Sequence, residues 1–160
     1  MNDPIHAGGG SMFSLTVEAV VDVSAPPAVV FEVLTDRDRW AEWSTMLVSL
    51  ATGPIVEGGS LALGLRTPQA NYDFTARVTR LAPNEVFEWL AKTGVRGVMD
   101  GRHRFELSPL TEGRTRLRNV ETYSGLLVPL VRRTASMRAA PEGFRAMNAE
   151  IAARAEALAG

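Results

Sequence analysis

The sequence predicts an α+β fold with helices on one face of an antiparallel sheet. The order of its elements predicts this: a strand, two short helices, six alternating segments parted by turn clusters, then a stretch at helical spacing. Ser14 to Val23 alternates as a strand. Ser24 follows as a candidate helix N-cap, with Pro26 and Pro27 in the first turn. Val29, Val30, Val33 and Leu34 then recur at helical spacing, and a second short helical segment begins near Asp36 and carries Trp40 and Trp43.

Six further strands are expected over Met46 to Ala51, Ser60 to Arg66, Tyr72 to Leu81, Val86 to Ala91, Val98 to Leu107 and Arg114 to Tyr123. Gly53-Pro54, Gly58-Gly59, Pro68, Pro83-Asn84 and Gly94 punctuate them. In the last third Phe144, Met147, Ile151, Ala155 and Leu158 step by threes and fours, the apolar stripe of a long helix in which Pro141 takes an early position. Met1 to Met12, with three consecutive glycines, reads as a flexible lead or a remnant of expression, leaving residues 13–160 as one domain.

Composition excludes several classes. Of 160 residues 46% are hydrophobic and 22% charged, typical of a globular chain, and a net charge of -1 gives no bulk attraction to nucleic acid or to an anionic membrane. Local patches stay open. With no cysteine there is no disulfide, thiolate nucleophile or zinc–cysteine site. His6 and His103 are the only histidines, so no metal site is expected. No glycine-rich loop leads from a strand into a helix, and no lysine completes a phosphate loop; no cofactor is expected. The longest apolar run, Leu126 to Val131, is too short to span a bilayer and holds Pro129, and a cytoplasmic location is the default.

Chemistry concentrates between Val98 and Tyr123. In the first segment Gly101, His103, Phe105 and Leu107 share the inward side; in the second Leu117, Asn119, Glu121 and Tyr123 do. The turn from Pro109 to Gly113 makes the two an antiparallel hairpin. Phe105 pairs with Leu117 or with Asn119, placing His103 opposite Asn119 or Glu121. Either way His103 and Glu121 are neighbours. An imidazole and a carboxylate buried together suit acid/base catalysis, orientation of a ligand oxygen, or a satisfied structural pair. Asn119 and Tyr123 can add hydrogen bonds on the same face. Arg102, Arg104, Arg114, Arg116 and Arg118 fall on the opposite face, as a solvated stripe paired with acids such as Glu106 or as a surface for an acidic partner. Without interleaved aromatics that face does not fit nucleic acid.

Val21-Asp22-Val23-Ser24-Ala25-Pro26-Pro27, Asp36-Arg37-Asp38-Arg39-Trp40-Ala41-Glu42-Trp43, Gly101-Arg102-His103-Arg104-Phe105 and Glu121-Thr122-Tyr123-Ser124-Gly125-Leu126-Leu127 together resemble the START-like (SRPBCC) superfamily, and within it the polyketide cyclase/dehydrase-type group. The resemblance spans about Ser14 to Leu158. It implies a helix-grip architecture: a curved seven-stranded antiparallel sheet wrapped around the long C-terminal helix, two short helices after the first strand, and an internal pocket for apolar ligands. Alternation independently places Phe74, Phe87, Trp89, His103 and Phe105 on faces that can converge beneath Phe144 and Met147.

The expected function is binding of a small apolar, partly oxygenated ligand, lipid or polyketide-like. Trp43, Trp89 and those aromatics form its walls, and His103 and Glu121 address its polar atoms. One alternative is a cyclase/dehydratase-type enzyme in which His103 and Glu121 are catalytic and move a proton. Another is a protein-partner module using the arginine stripe. The segment Gly125 to Val131 is read equally as a gate or as a covered stretch. The choice between monomer and homodimer is left open.

Overall fold

The computed structural model describes residues 11–160, apart from the Glu112 side chain. Of the expected lead over Met1 to Met12, the first ten residues, His6 included, lie outside the described residues. The elements are β1 (Ser14–Val23), α1 (Pro27–Thr35), α2 (Trp40–Trp43), β2 (Leu47–Ser49), β3 (Ser60–Arg66), β4 (Asn71–Ala82), β5 (Val86–Lys92), β6 (Asp100–Pro109), β7 (Thr115–Ser124), α3 (Val128–Val131) and α4 (Ala135–Ala159). Neighbouring strands pair antiparallel in the order β1-β7-β6-β5-β4-β3-β2, a sheet curled into a half-barrel around α4.

Alternation explains the curl's two surfaces. Val23, Leu61, Leu63, Ala76, Val78, Phe87, Trp89, Phe105 and Leu117 are buried on the concave side, where Met147, Ile151 and Ala155 of α4 meet them. A break in β4 register between Val78 and Arg80 adds local twist. The β6–β7 turn is a 3-10 turn over Thr111–Gly113, closed by the Leu110 N–H donating to the Arg114 carbonyl at 2.8 Å.

Three local expectations are corrected. Ser24 does not cap α1: Pro26 holds the N-cap position with no side-chain cap, while the Ser24 N–H donates to Glu156 Oε1 at 2.8 Å. Proline at N1 needs no cap at its own nitrogen, so the serine is free to clasp α4. The final helix begins at Ala135, capped by Thr134, whose hydroxyl accepts from the Met137 N–H, so Pro141 lies inside the helix. Val98 and Met99 are not strand residues: the Val98 N–H donates to Val95 in a turn and the Thr93 N–H to Met99, with Gly97 at φ 86°.

Candidate functional site

The hairpin brings the chemistry together. Phe105 pairs with Asn119 and His103 with Glu121 across β6 and β7, the second of the two registers allowed by the sequence. His103 is 1% exposed and its Nδ1 lies 2.8 Å from Glu121 Oε2. The carboxylate is an acceptor, so Nδ1 carries the proton and Nε2 faces the interior. Nε2 is buried and has no hydrogen-bond partner. Unmade hydrogen bonds of this kind cost about 1–3 kcal/mol each.

Gly101 makes room for the pair. A Cβ there would lie 2.8 Å from Glu121 Oε1, so only glycine lets the carboxylate rest against β6. Tyr123, two residues on, lies beside the same carboxylate. Burial, the charge of Glu121 and a hydrogen bond to it hold the phenol well above its usual pKa of 10.0. Tyr123 is therefore a neutral donor.

Aromatic rings surround the imidazole. Trp89, its β5 partner, stacks on it at 4.5 Å between centroids, Phe105 lies at 4.8 Å and Phe144 of α4 at 5.3 Å. Phe87 extends the group through Trp89 at 5.0 Å. Beside it, Asn119 Nδ2 donates to Asn148 Oδ1 at 3.0 Å and approaches the Met147 sulfur at 3.5 Å. Asn148 in turn donates to the Ala19 carbonyl, and Asn119 Oδ1 is buried without a partner. Asn148 escaped sequence reasoning because a polar residue next to Met147 and two before Glu150 reads as the margin of an apolar stripe. Its signal was its place one step from Met147, facing the same strands.

Two expected wall residues lie apart. Trp43 packs against the edge of the core and lines a shallow depression between α1, α2 and the end of α4 with Glu32, Asp36, Arg39 and Arg154. Helix α2 is a single turn: Trp40 is fully buried and donates to the Leu34 carbonyl at 3.2 Å, while Trp43 is half-buried at the edge of the core. Phe74 is partly buried against the core but outside the ring group around His103. The expected hollow is filled: Phe87, Trp89, Phe105 and Met147 are each at most 1% exposed. Among the described residues, the depression beside Trp43 has room for about 10 Å³ and is far smaller than a ligand.

Four of the five outer-face arginines, Arg102, Arg104, Arg116 and Arg118, meet a carboxylate. Glu88, 5% exposed, accepts from Arg102 at 2.6 Å and Thr79 at 2.6 Å and lies 3.6 Å from Arg104. Arg118 bridges Glu18 at 2.6 Å and Glu106 at 2.8 Å, which raises its pKa, and Arg116 grips Asp22 with two bonds, which lowers the carboxyl's pKa. These cations are largely spent within the sheet. No group of histidines and carboxylates suited to a metal occurs among the described residues, and none of their helices is long and apolar enough to cross a membrane.

A half-barrel sheet gripping its terminal helix defines the START-like helix-grip class. Similar structures include the Zhui aromatase/cyclase from Streptomyces sp. R1128, at 22% identity and TM-score 0.67, covering 89% of this chain and 94% of that one. A START superfamily protein from Mycobacterium smegmatis matches at 20% identity and TM-score 0.67, covering 89% and 98%. A protein from Arthrobacter aurescens matches at 18% and TM-score 0.70, covering 95% and 90%. The family model described as polyketide cyclase / dehydrase and lipid transport matches residues 14–159, and the chain belongs to that family. No curated protein matches it.

Proposed function

We propose that the protein binds a small apolar, oxygen-bearing ligand of lipid or polyketide type between α4 and the concave sheet. The observation that carries this reading is His103 Nε2: a buried, unpartnered nitrogen, aimed by Glu121 and walled by aromatic rings. A ligand hydroxyl donating to Nε2 recovers the missing hydrogen bond, and its hydrocarbon gains about 25 cal/mol per Å² removed from water. Because the interior is filled, entry requires side chains to move. Met147, unbranched and beside Asn119, is suited to yield. The Zhui name and the family description support the ligand class.

Titration with long-chain fatty acids and aromatic polyketides, followed by tryptophan fluorescence, tests this, since Trp89 stacks on His103. Saturable change is expected, with affinity about tenfold weaker in His103→Ala, the value of one buried hydrogen bond. A flat response across the panel sinks the reading.

The same dyad favours a second reading, the cyclase/dehydratase one. With Nδ1–H held by Glu121, Nε2 has a free lone pair to take a proton from a bound ketide, and the carboxylate stabilises the imidazolium formed. Glu121→Gln then keeps ligand binding and loses product in a timed incubation. Unchanged product formation in that variant removes it.

A further inference from the structure

Two segments meet at the end of the sheet next to Tyr123. The β5–β6 loop (residues 93–99) receives the chain leaving β7, with the Leu126 N–H donating to the Gly97 carbonyl and the Leu127 N–H to Val98, both at 3.0 Å. Gly125, at φ 132°, permits this: a Cβ would stand 2.5 Å from the Val98 carbonyl oxygen. The joined segments carry large apolar side chains into solvent. Val95 is 75% exposed, Leu126 70% and Leu130 69%. Only Val128 of α3 turns inward, so this stretch is neither a gate shut over the interior nor a covered stretch.

The surrounding charge is of one sign. Residues 122–141 contain Arg132, Arg133 and Arg138 and no acid; residues 92–99 contain Lys92 and Arg96 and no acid. All five are exposed, and none forms an ion pair with a described carboxylate, although Arg138 donates to the Arg133 carbonyl. The sheet arginines behave oppositely, each of Arg102, Arg104, Arg116 and Arg118 meeting a carboxylate. In a chain of net charge -1, free cations are thus gathered around the exposed apolar tips.

We infer that this end of the molecule is a docking surface for an anionic phospholipid bilayer, the leucines and Val95 entering between headgroups while the arginines meet phosphate. Isolated apolar side chains on loop tips suit insertion into a headgroup layer, and each basic residue near such a surface contributes about 1 kcal/mol. The surface adjoins β6 and β7 just beyond Tyr123, so it would present that end of the interior to the bilayer.

Flotation with vesicles of phosphatidylcholine alone, and of phosphatidylcholine mixed with phosphatidylglycerol, tests this on protein without added ligand. The outcome is thereby independent of the internal pocket. Binding to the anionic vesicles is expected, weakened by salt, with little binding to the neutral ones. Arg132→Gln with Arg133→Gln should lower partitioning about 25-fold, from about fivefold per charge. Leu126→Ser and Val95→Ser should each lower it about tenfold, while Arg116→Gln, at the other end of β7, should leave it unchanged. Circular dichroism of each variant checks that it is folded. Absence of vesicle binding, equal binding to both vesicles, or indifference to the Leu126 and arginine changes overturns the inference. So does concentration-dependent dimerisation abolished by Leu126→Ser, which would make a second copy the occupant.

Discussion

Gly101 decides whether Glu121 can hold the His103 ring. Its missing side chain is the space that the Glu121 carboxylate fills, so Gly101→Ala drives a methyl against Oε1. Moving that carboxylate frees Nδ1 and unlocks the imidazole without touching either partner. The expected loss is about 1–3 kcal/mol of stability, as for overpacking elsewhere, with ligand affinity falling as in His103→Ala. Urea melts and the fluorescence titration measure both. Tyr123 gives a second test through pH. Its pKa is raised in the folded state, so above about 10 the unfolded chain releases a proton that the native one retains. The unfolded state then binds fewer protons, and stability falls as pH rises beyond that point. Tyr123→Phe should flatten the alkaline limb of the melting curve above about pH 10. The His103–Glu121 pairing was legible in sequence because alternation fixes which face a side chain takes and the short turn limits the register. Asn148 was not, since its partners Asn119 and Ala19 are 29 and 129 residues away.

At the scale of elements, strands were read more accurately than helix ends. β3 runs over Ser60–Arg66 as expected, although β2 is shorter, Leu47–Ser49, and β6 is shifted to Asp100–Pro109. Helix α4 starts earlier than the position of Pro141 predicts, because proline normally marks a first turn, whereas here the start is set by the Thr134 cap, seven residues before Pro141. Pro141 leaves the Met137 carbonyl without its usual i+4 donor, and the first half of the helix is less deeply buried than the Phe144 to Ala155 half. Pro141→Ala restores that bond. It should stabilise the protein by about 1–3 kcal/mol, the proline penalty reduced by whatever packing its ring provides. A melting temperature higher by at least about 2 °C is the expected readout for a chain of this size. A lower one would mean that the ring's packing outweighs the lost hydrogen bond.

For the whole molecule, architecture was legible and the state of its interior was not. Strand order, curl and the gripping helix follow from patterns that many side chains share, whereas an open or filled centre depends on a few side-chain volumes that no periodicity encodes. Phe87, Trp89, Phe105 and Met147 fill the space beneath α4, so a ligand must compete with them. Met147→Ala separates the outcomes. Truncating a side chain that is 1% exposed should cost about 2–5 kcal/mol, because the surroundings collapse only partly around the space it leaves. If that space adjoins the ligand site, a saturating apolar ligand should bind the variant more tightly than the parent. Part of the lost melting temperature should then return, about 2.7 kcal/mol being recovered at a ligand concentration 100 times Kd. If Met147 is core alone, the variant melts low and no ligand raises it, and the region between Met147 and His103 is structural rather than a binding site.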